Sequence, residues 1–132
     1  MTVRKAALDR PLLDKLGVKP DARVTIIGVE DDGFQKLLRE RTGDISPRTR
    51  KDCDLVFYAA NSLRDLDRLE RLRGTIKPAG AIWVVRLKGE AAVIKETDII
   101  AAAKTQGLVD IKVVSFSETH SALKLVIPVN QR

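Results

Sequence analysis

His120 is the chain's one histidine, so any acid–base chemistry by an imidazole must run through it. It stands in Glu118-Thr119-His120-Ser121, beside a carboxylate and two hydroxyls. A nucleophilic triad needs such groups to converge in space, and neighbours within one short turn rarely do. The segment therefore reads as a polar surface turn. Cys53 is the one cysteine and precedes an apolar run; it reads as a small core residue. A lone cysteine makes no intramolecular disulfide, and one His with one Cys does not assemble a metal site, so no metal is expected.

The second stretch with chemical potential is Ile27-Gly28-Val29-Glu30-Asp31-Asp32-Gly33. A dinucleotide or S-adenosylmethionine loop wants closely spaced glycines that let backbone approach the ligand. Here the glycines are five apart, with Glu30, Asp31 and Asp32 between them. Those carboxylates repel a pyrophosphate at a helix N-terminus. Gly28 reads as a tight turn and Asp31 or Asp32 as a helix cap. No well-formed second strand ends in an acid that would hold a ribose, and Asp44 is a poor stand-in. No cofactor is expected, and no residue is assigned a catalytic role.

The elements that position these groups are announced by a repeated phrase. Val18-Lys19-Pro20 through Ile27 and Ile76-Lys77-Pro78 through Val85 each pass from a helix end, through a Lys-Pro turn, into a buried strand. Leu8, Leu12, Leu13 and Leu16 fit one helix face that Gly17 ends. Strand one is 23–28. A helix follows with Phe34, Leu37 and Leu38 inward, stopped by Gly43. Residues 44–52 read as a basic surface loop with at most a vestigial strand at its start. The unalternating run 54–60 is a strand covered on both faces.

Ser62 then caps a helix, with Asp65 in the capping-box position and Leu63, Leu66, Leu69 and Leu72 as its buried seam. Strand 80–86 follows, with Trp83 inward. Thr97 caps a helix of Ile99, Ile100 and Ala103 ending at Gly107. Strands 108–116 and 122–129 close the chain, and their five-residue connection makes them antiparallel neighbours. The order β-α-β-α-β-α-β-β predicts one domain over 1–132, of three-layer α/β Rossmann-like form. Its sheet is mostly parallel, with an antiparallel C-terminal strand beside the penultimate one.

Composition fits a soluble protein: 132 residues, 44% hydrophobic and 32% charged. The net charge of +6 invites an anionic partner. Yet 18 acids are interleaved with 24 bases and aromatics are only 4%, so the charge reads as solvated surface and not as a nucleic-acid grip. Arg64, Arg68 and Arg71 find Asp65, Asp67 and Glu70 at helical spacings. Arg4 and Lys5 precede too short an apolar run for a signal sequence or membrane span, so a cytoplasmic location and no membrane partner are expected.

Open α/β sheets bind ligands beyond the carboxyl ends of their parallel strands. That rim gathers Glu30 after the first strand, Asn61 after the second, Lys88 after the third, and Glu118, Thr119 and His120 in the last turn. These six are the candidate ligand-binding residues. Lys88 is the foremost, because its ammonium leaves a buried strand free to meet an anion.

Val24-Thr25-Ile26-Ile27-Gly28, Asp54-Leu55-Val56, the stretch Leu72 through Val85 and Gly107 through Val113 resemble S-adenosylmethionine-dependent methyltransferase framework. The chain is more closely similar to a family of small bacterial proteins known as a domain of unknown function. Leu12 through Pro20, Gly80 through Val84, Lys88, Thr97-Asp98, Thr119 and Ser121 through Val126 carry that similarity. The resemblance covers most of the chain outside residues 40–53. It implies a degenerate methyltransferase-like Rossmann fold without an established activity. The family tends to tryptophan where His120 stands.

Three functions follow in order. The first is a non-enzymatic or cryptic domain that binds a small molecule or a protein. The second is a small methyltransferase with an atypical cofactor site. The third is an anionic-partner module using Arg48, Arg50, Lys51 and the Arg64–Arg71 face.

Overall fold

A computed structural model describes residues 12–132. Residues 12–15 are helical, with Leu13 and Leu16 buried, and Gly17 ends the turn at a φ of +73° that suits glycine. Leu8, expected on the same face, lies outside the described residues. The elements that follow are β1 (Arg23–Ile27), α1 (Asp32–Arg41), β2 (Asp44–Ser46) and β3 (Cys53–Ala59). A 3₁₀ segment (Arg64–Arg68) runs into α2 (Leu69–Arg73), then come β4 (Ile76–Leu87), α3 (Glu96–Thr105), β5 (Val109–Ser115) and β6 (His120–Val126).

The six strands form one sheet in the order β2-β1-β3-β4-β6-β5. The first four are mutually parallel. β6 runs antiparallel to both of its neighbours, β4 and β5, so the C-terminal strand is inserted where the short final connection predicts. Because side chains alternate across a strand, the sheet buries two separate clusters. Val24, Phe57 and Trp83 pack with Phe34, Leu38 and Leu16 on one face. Val56, Tyr58, Ile82 and Val84 pack with Leu69, Leu72, Ile99 and Ala103 on the other. Trp83 is fully buried and donates its Nε1–H to the Leu16 carbonyl at 3.0 Å, tying the first helical turn to the sheet centre.

Four local expectations are corrected. The segment after Ser62 is 3₁₀ for its first five residues, and Leu63 is 64% exposed instead of buried. Leucines at every third position match the three-residue period of a 3₁₀ turn better than that of an α-helix. The third helix begins at Glu96, with Lys95 extended before it and the Asp98 carboxylate accepting the Lys95 N–H at 2.8 Å; Thr97 is inside the helix and does not cap it. The fourth strand begins at Ile76, not Gly80. Cys53 pairs with Ile76 and Leu55 with Ala81, so 77–80 bulge out of register, and a Cβ on Gly80 would stand 2.9 Å from the Cys53 carbonyl oxygen. The last strand stops at Val126, and Pro128 opens a final 3₁₀ turn, since proline has no N–H for the ladder.

Candidate functional site

The carboxyl ends of β1 and β3 open onto a cleft of about 510 Å³. Its first wall is the β1–α1 loop. Gly28 turns the chain at a φ of +76°, close enough that an added Cβ would meet the Ala59 Cβ at 3.4 Å. Val29 is buried, and its carbonyl accepts the Gln35 side-chain amide at 2.7 Å, which pins the loop to α1. Asp31 caps α1, accepting the Phe34 N–H at 3.0 Å. Glu30 and Asp32 are exposed and carry the loop's remaining charge.

The opposite wall is the β5–β6 turn. Ser117 Oγ accepts the N–H groups of Thr119 (3.3 Å) and His120 (3.1 Å), and Thr119 Oγ1 lies 2.8 Å from His120 Nδ1. The Thr119 carbonyl accepts the Lys88 N–H at 3.0 Å, joining this turn to the end of β4. Asn61 is exposed after β3, its N–H held by Asp65 at 2.9 Å. Phe116 and Val85 complete the lining, and Phe116 packs on Phe34 with ring centroids 4.6 Å apart.

Of the six candidates, Glu30, Asn61, Thr119 and His120 share this cleft with Asp31 and Asp32. Lys88 and Glu118 are not part of its lining. Lys88 Nζ instead lies 2.8 Å from Ser115 Oγ, at the end of β5. Phe116 and Val85 were not foreseen as cleft residues; their positions at the carboxyl ends of strands were the available signal. A shallower hollow of about 410 Å³ lies on the other side of the loop, between Ile26, Ile45, Pro47 and Arg39.

The groups proposed for anion binding have structural employment in one case. Arg50 donates to the carbonyls of Val24 and Asp44, both at 2.8 Å, and pairs with the Asp44 carboxylate. The Arg50 hydrogen bond holds the Asp44 carboxyl below its ordinary range, with Arg23 contributing and burial opposing. Asp44 sits at the start of β2, at the far end of the sheet from the cleft, while Ser46 and Pro47 follow at the strand's carboxyl end. Cys53 is buried, with its thiol 3.2 Å from the Arg50 carbonyl oxygen. Among the described residues no three His, Cys, Asp or Glu side chains gather to hold a metal, and no helix is long and apolar enough to cross a membrane.

No family model and no curated protein matches the chain. Solved structures do. An S-adenosylmethionine-dependent methyltransferase from Aquifex aeolicus superposes with a TM-score of 0.65 at 15% identity, covering 90% of this chain and 89% of that one. A TehB-like S-adenosylmethionine-dependent methyltransferase from Corynebacterium glutamicum gives 0.57 at 10% identity, over 90% and 86%. The Methanococcus jannaschii fibrillarin pre-rRNA processing protein gives 0.56 at 11%, over 83% and 68%. At such identities the likeness shows the fold: a Rossmann-like α/β architecture of methyltransferase type.

Proposed function

We propose that this chain is a small-molecule-binding domain on a degenerate methyltransferase-like scaffold, three-layered and without methyl-transfer activity of its own. The observation that supports this most is the charge of the cleft. Glu30 and Asp32 stand where a nucleotide- or amino-acid-binding loop offers bare amides, and Asp31 already occupies the Phe34 N–H at the helix start. The end of β2 offers Ser46 and Pro47 where a ribose would need an acid. Carboxylates, an amide, a hydroxyl and an imidazole suit a cationic or hydroxyl-bearing ligand better than a phosphorylated one, so the charge counts against dinucleotides. The widely spaced glycines and the missing acid after β2 are what count against S-adenosylmethionine. Membership of a bacterial domain-of-unknown-function family, which no family model matches, and a cytoplasmic setting are part of this proposal.

The second reading, a methyltransferase with an atypical site, is favoured by the superpositions on methyltransferases. Calorimetry separates the two. Titration of S-adenosylmethionine and of nicotinamide dinucleotides to near-millimolar concentration is expected to give no tight binding, whereas a polar amine and polyol panel should yield a ligand. Micromolar affinity for S-adenosylmethionine, about −8 kcal/mol, would move the assignment to the second reading.

A further inference from the structure

We propose that the amino-terminal edge of the sheet, opposite the acidic cleft, is an anion site in which Lys124, Lys112 and Lys19 bind the phosphate or diphosphate group of a small molecule. A hollow of about 560 Å³ opens there, lined by Lys19 and Asp21 before β1, Asp54 in β3, Lys77 in the β4 bulge, and Lys124 in β6. Asp54 is already engaged. Its carboxylate accepts the Arg23 N–H at 2.8 Å and the Lys77 ammonium at 3.0 Å, so Asp54 and Lys77 largely cancel. Lys19 also feels the Asp54 charge, and among the described residues Asp21 is the one further carboxylate in the lining, beside Lys124 and its cross-strand neighbour Lys112.

The arrangement of the two strand lysines is what points to a ligand. Register places Trp83 opposite Lys124 and Lys124 opposite Lys112, so all three lie in one cross-strand row on one face. Their ammonium nitrogens stand 5.8 Å and 5.9 Å from the centre of the buried Trp83 ring. One lysine is enough to cover an indole by its stem and by cation–π attraction. The second puts a like charge directly across the ladder, which destabilises the pair. Among the described residues no carboxylate lies within ion-pair distance of either. The repulsion is felt: burial and the Lys112 charge together lower the Lys124 pKa. A bound dianion would offset the repulsion between the two ammonium groups, and such a pair, with Lys124 lining the hollow, is suited to hold one.

The test is an NMR titration of the labelled full chain with inorganic phosphate and pyrophosphate. Saturable shifts at Lys19, Lys112 and Lys124, stronger for pyrophosphate and weakened by salt, are expected. Lys124→Met, which keeps the stem over Trp83, should weaken pyrophosphate by about tenfold or more, with Lys51→Met as the unaffected control. The variant should fold at least as stably as the parent because it relieves a like-charge pair; should it not fold, Lys112→Met carries the same expectation. Absence of saturable shifts at millimolar pyrophosphate, undiminished affinity in the folded variants, or shifts confined to Arg48–Lys51 would overturn the proposal. Tighter binding of a homopolymeric RNA through the same lysines would overturn the small-molecule assignment. S-adenosylmethionine carries no phosphate, so its calorimetry does not report on this edge. Any heat from a dinucleotide is assigned by repeating the titration with Lys124→Met, which removes binding at the lysines and leaves binding at the cleft, so either proposal can fail alone.

Discussion

At the carboxyl ends of β1 and β3, Glu30, Asp31 and Asp32 line a cleft with Asn61 and His120; at the amino ends of the same strands, Lys19, Lys77 and Lys124 line a hollow of similar size with Asp21 and Asp54. Helix dipoles account for part of this polarity. Asp31 and Asp32 sit at the start of α1, and Arg39 and Arg41 in its last turn, each charge complementing its helix end. Lys112 and Lys124 escape that account, because they lie within strands. The chain's net charge of +6 is therefore not a uniform coat. Part of it is concentrated where neither a helix end nor a neighbouring carboxylate among the described residues offsets it.

The deepest way to break the comparison is to remove the floor of the basic edge. Trp83→Ala deletes a fully buried indole and its hydrogen bond to Leu16, and should cost about 3–5 kcal/mol in denaturant unfolding. Faster amide exchange in β6 than in the β1–α1 loop would show that the loss is local to that edge. A milder break is Asp54→Asn. Burial pushes the Asp54 carboxyl up, but the Arg23 N–H and the Lys77 ammonium outweigh it and hold the group below its ordinary 3.8. A depressed carboxylate stabilises the fold above its ordinary value, and the contribution fades as pH falls through the folded one. The acid limb of the stability curve should thus flatten in the variant, with a loss of about 1 kcal/mol at neutral pH given solvent screening. An unchanged acid limb would show that Asp54 does not organise this edge.

The acidic rim was legible in the sequence because it depends only on strand ends. Alternating elements put Glu30, Asn61 and the Thr119-His120 turn on one edge, and the five-residue final connection oriented the last two strands. Lys88 fails to join the cleft lining for a reason no pattern shows: its ammonium is held by Ser115. The basic edge was illegible for the opposite reason. Lys112 and Lys124 are twelve residues apart and meet through a register shifted at Ile111. One signal was available, a lysine between the buried Leu123 and Leu125, at a position facing the Trp83 side of the sheet. The bulge at 77–80 was hidden too, since Lys-Pro reads as a turn whether or not the strand resumes its pairing beyond it.

The finest contrast lies within three consecutive carboxylates. Asp31→Ala removes the cap on α1 and should cost about 1 kcal/mol. Glu30 is exposed, and its side chain makes no hydrogen bond or ion pair among the described residues, so Glu30→Gln should leave stability within about 0.5 kcal/mol of the parent. A side chain with no structural employment that lines the cleft is a charge available to a ligand. Affinity for a cationic ligand, once the amine panel supplies one, should therefore fall in Glu30→Gln while the melting curve stays in place. A destabilisation as large as that of Asp31→Ala would instead make Glu30 part of the scaffold. The acidic edge would then owe its charge to helix capping alone, leaving the lysine row as the more informative of the two edges.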